Sequence, residues 1–268
     1  MDKVYVHGYE PRERERLLDQ AGTLLELLHA ETAYAPGSRV LEVGCGVGAQ
    51  TVTLARRSPQ AHFTAIDISA ESIAEARRRV RAAGLANVSF EQADLFAWAP
   101  PAGSFDHVFV CFVLEHLTHP AQALATLWRL LKRGGSLTAI EGDHGLTAFY
   151  PESAAARAAI ECQVELQRRA GGNASIGRQL YPLLVAAGFT EVCVAPRIAY
   201  ADASRPGWVD GFTKKTFTAM IEGLREAALA AQLIAPARFD EGVRDLHRTA
   251  GPDGVFCYTF FKAVGMKP

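Results

Sequence analysis

From Arg39 onward, short apolar runs rich in β-branched and aromatic residues alternate with longer stretches in which Ala, Leu and Arg recur at helical spacing. Short runs bounded by glycine or polar turns read as strands, and a 3.6-residue period reads as amphipathic helix. The pattern predicts strands at Arg39–Val43, His62–Asp67, Val88–Gln92, Phe105–Cys111 and Leu137–Glu141, with helices over about 48–57, 70–83 and 120–132. Such alternation argues for an α/β core built on a parallel sheet, spanning about 39–141. Local punctuation agrees: Ser69 is placed to cap the second helix, Gly84 follows it, and Gly134-Gly135 would stop the third after Lys132 and Arg133.

The flanks differ. Leu17, Leu18, Ala21, Leu24, Leu25 and Leu28 recur at helical spacing between Pro11 and Glu31, so this amphipathic helix must lie on something apolar. After the core come helical stretches near 152–170 and 176–187, a strand at Thr190–Ala195, a long helical segment from about 207 to 249 and a last strand at Phe256–Ala263.

Composition narrows the classes of function. A chain of 268 residues with 49% apolar side chains buries a sizeable core, which excludes general disorder. Lys and Arg number 28 against 29 Asp and Glu, so the net positive field used by nucleic-acid or anionic-membrane binders is missing. The longest apolar run, Val108 to Leu114, falls far short of the ~18–20 residues of a membrane span. The first ten residues carry charges and no apolar stretch, which reads as a cytoplasmic address. Five cysteines without a Cys-x-x-Cys pair read as reduced, mostly buried thiols.

The most informative segment is Val40-Leu41-Glu42-Val43-Gly44-Cys45-Gly46-Val47-Gly48-Ala49, a buried strand running into a glycine turn that opens a helix. Glycines there let the backbone approach a ligand and adopt positive φ. Gly44-x-Gly46-x-x-Ala49 also satisfies the dinucleotide fingerprint, and Asp67 lies near the distance expected of a carboxylate that accepts ribose hydroxyls. NAD and S-adenosylmethionine share that adenosine half. Three features separate them. Glu42 would repel a pyrophosphate yet serve a methionine ammonium. Asp94 closes the third strand, where it can accept from an adenine amino group. The single Tyr-x-x-x-Lys, Tyr258 to Lys262, lies in a predicted strand, which would hold the two side chains roughly 13 Å apart.

In these residues the sequence resembles the class I S-adenosylmethionine-dependent methyltransferases, especially the bacterial small-molecule branch that includes ubiquinone and menaquinone methylases. The resemblance covers roughly 36–142. It rests on the glycine segment, Ala65-Ile66-Asp67-Ile68-Ser69, Ala93-Asp94-Leu95, Phe105 to Cys111 with Leu114-Glu115-His116-Leu117, and Leu130-Leu131-Lys132-Arg133-Gly134-Gly135. Arg133 departs from the Pro often found there. The resemblance implies a doubly wound, Rossmann-like sheet of seven mostly parallel strands, the last antiparallel, with S-adenosylmethionine as cofactor. It would place Glu42, Gly44, Cys45 and Gly46 around the methionine half and Asp67 on the ribose. Asp94, Leu95 and Ile68 would meet the adenine, and Cys111, Phe112 and His116 would line the floor near the sulfonium. Cys45 and Cys111 have no cationic neighbour in sequence to generate a thiolate, so they are expected to make contacts only.

The family's last two strands usually form a short hairpin, whereas here a long segment separates them. One domain over 1–268 is expected, with an N-terminal helical cap at 1–35, a cofactor core at 36–142, and a C-terminal half at 143–268 carrying a helical lid at about 200–252. The apolar N-terminal helix would roof the site with the lid, or serve a homodimer interface.

The expected activity is methyl transfer to a small-molecule oxygen, nitrogen or carbon by in-line displacement. His116, Asp143 and His144 are the catalytic candidates, and Tyr5, Tyr9, His144 and Tyr150 the candidate acceptor contacts, with His7 between the first two tyrosines. Glu115-His116-x-x-His119 and Glu141-Gly142-Asp143-His144 match no closed ligand spacing, so no metal is expected. A nicotinamide-dependent oxidoreductase and a non-catalytic S-adenosylmethionine-binding protein are the alternatives. The Arg77-Arg78-Arg79-x-Arg81 cluster reads as a solvated helix face.

Overall fold

The computed structural model describes residues 22–268. Tyr5, His7, Tyr9 and the leucines at 17 and 18 lie outside the described residues. Residues 22–29 are helical and form α1. Seven strands follow as β1 (Arg39–Val43), β2 (His62–Asp67), β3 (Val88–Gln92), β4 (Phe105–Cys111), β5 (Leu131–Tyr150), β6 (Thr190–Asp202) and β7 (Val255–Met266), in the sheet order β3-β2-β1-β4-β5-β7-β6. The first five pair in parallel. β7 runs antiparallel to its neighbours: Gly134 and Gly135 at the start of β5 exchange main-chain hydrogen bonds with Lys267, and Thr190 at the start of β6 donates to the carbonyl of Met266.

The chain divides into two compact units. The core unit comprises Leu28–Glu141, Ile176–Pro196 and Phe261–Pro268. β1 to β4 have the predicted ends, because each is a parallel strand closed by a turn. Between them stand α2 (Ala49–Arg57), α3 (Ala70–Ala82) and α4 (Pro120–Leu130), and α6 (Leu180–Ala186) follows later in the chain. Ser69 caps α3 by accepting from Ser72 N–H, as its position predicted. Alternation sorts the strands: Leu41, Val43, Val108, Val110, Leu137 and Ala139 bury against Leu124, Leu127, Leu180 and Leu184. Glu42 points to the opposite face, level with Ala65 and Phe109. This register aligns the carboxyl ends of β1, β2 and β4 in one row, where open α/β sheets bind ligands.

The prediction for β5 needs correction. The third helix ends at Leu130, two residues early, and the strand runs from Leu131 to Tyr150 where only Leu137–Glu141 was expected. Pairing with β7 claims the backbone of Gly134 and Gly135, so these glycines lie inside a strand. The run Asp143-His144 likewise sits within β5 and not past its end. β6 and β7 also extend beyond Thr190–Ala195 and Phe256–Ala263.

Among the described residues, the second unit comprises 22–27, Gly142–Ser175 and Arg197–Phe260. It holds α5 (Ala154–Arg169), α7 (Pro206–Trp208), α8 (Ala219–Gly223), α9 (Arg225–Ala230) and α10 (Pro236–Arg248). A π-helical run, Val209–Thr218, joins α7 to α8. Ser153 caps α5 by accepting from Ala155 and Ala156 N–H, and its hydroxyl also bonds the Asp245 carboxylate on α10. The Arg225 guanidinium holds Asp240 through two hydrogen bonds, joining α9 to α10. Phe212 and Phe217 of the π-helical run pack on Phe256 and Tyr258 of β7. No described helix is long and apolar enough to cross a membrane.

Candidate functional site

In the core unit the predicted cofactor residues gather at the carboxyl ends of β1 to β4. Gly44 and Gly46 adopt φ of 69° and 51°. A Cβ at Gly44 would lie 2.5 Å from Cγ2 of Val113, whereas one at Gly46 would meet nothing within 4 Å. The first glycine is therefore demanded by packing and the second by backbone conformation at an open surface. Asp67 braces this loop: Oδ2 accepts from Gly46 N–H at 2.8 Å and Oδ1 from Ser69 N–H at 2.9 Å. Burial raises its carboxyl above the ordinary range, opposed by those N–H groups.

Beneath the loop Glu42 is 2% exposed, and its Oε2 has no hydrogen-bond partner. Burial pushes this carboxyl up to about 8, with the nearby Asp67 carboxylate adding to the rise and the Thr51 hydroxyl opposing it. A buried carboxylate left half-satisfied is costly, and a cationic donor offsets that cost. The ammonium of a methionine moiety has the required chemistry, so the residues present fit S-adenosylmethionine. A pyrophosphate offers this carboxyl no cationic donor. Ile68, next to Asp67, is 48% exposed, an apolar side chain held at a strand end. Asp94 Oδ1 accepts from Phe96 N–H at 3.0 Å, which orders the turn after β3 and sets Leu95 inward.

After β4, Phe112 takes φ of 57° and Val113 turns back over Gly44. The next residues, Leu114–His116, form a single 3₁₀ turn. Glu141 holds it: Oε1 accepts from Val113 N–H at 3.1 Å and Leu114 N–H at 2.8 Å, and Oε2 from Glu115 N–H at 3.3 Å. Its carboxyl is fully buried, and burial together with the Glu115 carboxylate pushes its proton affinity well up against those N–H groups. Glu141 thus shapes the turn that carries Phe112 and His116. His116 Nε2 stands 3.5 Å from Glu115 Oε1. Burial pushes both the Cys45 and Cys111 thiols up, which suits contact and not nucleophilic roles.

Lys262 answers the dehydrogenase alternative. Its ammonium is buried in the core unit and donates to the Leu28 carbonyl and the Thr32 hydroxyl, and it sits on a strand with Tyr258, four residues earlier. A Tyr-Lys catalytic pair on one helical turn is therefore missing.

In the second unit, Asp143 is fully buried and Oδ1 accepts from Gly145 N–H. His144 meets Tyr258 and Ala174 through Nδ1, at 3.0 and 3.2 Å. Tyr150 stands six residues further along β5 and is exposed. Val113 and Ala174 are contributors that local reading missed, and Glu141 and Tyr258 take roles it did not assign them, since each acts through a partner distant in sequence. Among the described residues no three His, Cys, Asp or Glu side chains converge as a metal site.

Residues 40–135 match the family model described as a methyltransferase domain. The chain is 36% identical over 200 residues to an uncharacterized 37.1 kDa protein in transposon TN4556 of Streptomyces fradiae, covering 74% of this chain and 56% of that one. It is 35% identical over 141 residues to demethylmenaquinone methyltransferase of Thermus thermophilus, covering 53% and 59%. The chain thus spans little more than half the length of these two relatives. A phosphoethanolamine N-methyltransferase of Haemonchus contortus, solved with phosphomonomethylethanolamine and S-adenosylhomocysteine, shares the fold at TM-score 0.59 and 18% identity, over 93% of this chain and 53% of that one.

Proposed function

We propose that the chain, whose residues 40–135 match a methyltransferase-domain family model, is as a whole a cytoplasmic class I S-adenosylmethionine-dependent methyltransferase acting on a small-molecule oxygen, nitrogen or carbon. The observation that carries this reading is the fully enclosed Glu42 carboxylate with its unpartnered Oε2 under the glycine loop. Glu42 would receive the methionine ammonium, and Gly44, Cys45 and Gly46 would follow that moiety with their backbone. Asp67 would accept from the ribose. Ile68, Asp94 and Leu95 would enclose the adenine, and Cys111, Phe112 and His116 the sulfonium side.

When bound, S-adenosylmethionine supplies an already activated methyl group, so alignment carries much of the acceleration. The chain's own task is to orient the acceptor, exclude water and, where the acceptor must lose a proton, receive it. His144 is our base, with His116 and Asp143 as the other candidates. The segment at about 200–252, with the N-terminal helix, serves in this reading as the acceptor-binding lid, in preference to a homodimer interface. Tyr150 and the N-terminal Tyr5 and Tyr9 are its further candidate contacts. A near-neutral formal charge of −1 supports a small-molecule acceptor over nucleic acid.

Calorimetric titration with S-adenosylmethionine, S-adenosylhomocysteine and NADH tests the proposal. Micromolar binding of the first two, weakened in Glu42→Gln and Asp67→Ala, is expected. Binding of NADH alone would overturn it.

A further inference from the structure

Resting on the methyltransferase reading, we infer that Tyr258 is a positioning residue which, with the Ala174 carbonyl, holds His144 in the tautomer whose Nε2 is the basic nitrogen. The Ala174 carbonyl accepts from His144 main-chain N–H at 3.0 Å and lies 3.2 Å from Nδ1 of the same residue. A carbonyl oxygen can only accept, and a ring lone pair facing it at that distance would be repulsive, so Nδ1 carries the proton. Tyr258 Oη stands 3.0 Å from the same Nδ1 and becomes the second acceptor of that N–H. With Nδ1 protonated, a neutral imidazole has its lone pair on Nε2.

The surroundings are built for this contact. Tyr258 and His144 are 3% and 8% exposed. Their rings meet edge-on at 5.3 Å, and the Phe217 ring lies 5.9 Å from the imidazole. Gly142, two residues before His144, leaves open the place that a Cβ would occupy, and Tyr258 Oη fills it. A side chain at 142 would push the phenol away from the imidazole. Gly142 is thus the residue that lets a hydroxyl on β7 reach the histidine on β5.

A proton received at Nε2, whose lone pair forms the new N–H bond, leaves an imidazolium that Tyr258 and Ala174 stabilise by accepting from Nδ1–H.

The test is long-range proton–nitrogen correlation on the full chain, labelled with 15N in histidine rings and saturated with S-adenosylhomocysteine. The His144 signals are identified by their loss in His144→Asn. A protonated Nδ1 and an unprotonated Nε2 are expected. In Tyr258→Phe, exchange of the Nδ1 proton with water should accelerate about tenfold, the factor one neutral hydrogen bond is worth. Gly142→Ala should do the same with the phenol retained. S-adenosylhomocysteine affinity should stay within about threefold in both, since Tyr258 makes no part of the proposed cofactor site. An Nε2–H tautomer in the wild type, or unchanged exchange in folded variants, overturns the inference. Failure to bind S-adenosylhomocysteine at all would instead overturn the methyltransferase reading.

Discussion

Gly46 N–H donates to Oδ2 of Asp67 across 2.8 Å. The other oxygen of that carboxylate receives Ser69 N–H, so one side chain ties the loop after β1 to the turn after β2. The group assigned to the ribose is therefore also the strut of the glycine loop. Asp67→Ala should both lower the unfolding free energy by about 2–4 kcal/mol and weaken S-adenosylhomocysteine binding at least about a hundredfold, because hydrogen bonds to a charged group are worth ~1.5–3 kcal/mol each. Asp67→Asn keeps one acceptor and should fall between. Thermal unfolding beside calorimetry checks this; lost affinity at unchanged stability would remove the strut role.

Glu42 makes the stability of the free protein depend on pH. Its folded-state proton affinity, about 8, exceeds the ordinary value of 4.5. Its contribution is therefore whole below about 4.5 and is lost as pH rises through 8, by at most about 5 kcal/mol. Glu42→Gln should flatten that slope in thermal scans between pH 5 and 9. A bound ammonium favours the carboxylate, so cofactor binding below pH 8 should release a proton. The heat of binding will then depend on the buffer's ionisation enthalpy in the wild type and not in Glu42→Gln.

Gly44 opposes Val113 at a distance no Cβ tolerates, in a left-handed conformation. Gly44→Ala should cost about 2–4 kcal/mol, summing strain and overpacking. Adding Val113→Ala should return about 1 kcal/mol of coupling, since it removes the clash and leaves the φ penalty. Urea unfolding of the four members of the cycle measures both parts.

Glu141 pairs three buried N–H groups, and burial with the Glu115 carboxylate favours its protonated form. Glu141→Gln keeps an acceptor for the Val113 and Leu114 N–H groups but sets an NH2 donor against Glu115 N–H, so it should lose about 1–2 kcal/mol, whereas Glu141→Ala, which orphans all three donors, should lose about 3–5 kcal/mol. Equal losses in chemical denaturation would show that the charge itself holds the turn.

Thr213 and Thr218 in the π-helical run are fully buried, and neither hydroxyl has a hydrogen-bond partner. Thr218→Val keeps the shape and removes an unsatisfied polar atom, so a gain of about 1 kcal/mol is expected from thermal unfolding. A loss of stability would mean that the hydroxyl is bonded after all.

Several of these positions were legible before any coordinates. β1 to β4 and the acids that end or follow β1 to β3 could be read because apolar patterning, strand length and turn residues are all local properties. The glycine spacing carries its own reason, since positive φ is a property of the residue. Other features were not local. Gly134-Gly135 reads as a helix stop until β7 takes up its backbone, and Glu141 reads as one acid in an acid-histidine run until its carboxylate is found capping a turn 26 to 28 residues earlier. The π-helical register was likewise invisible, because Phe212 and Phe217 come onto one side only when the hydrogen-bond spacing widens to i→i+5.

By itself, the sequence determined the α/β order, the glycine loop and the carboxylates at successive strand ends, all of which follow from periodicity and backbone sterics along a contiguous stretch. Only the tertiary structure decided that Asp67 braces the loop it serves, that Glu42 is sealed with an oxygen unpaired, and that Gly142 yields its side-chain space to Tyr258. The physical reason is that burial, desolvation and cross-strand contact belong to pairs of residues brought together by the sheet, at separations no window along the chain can span.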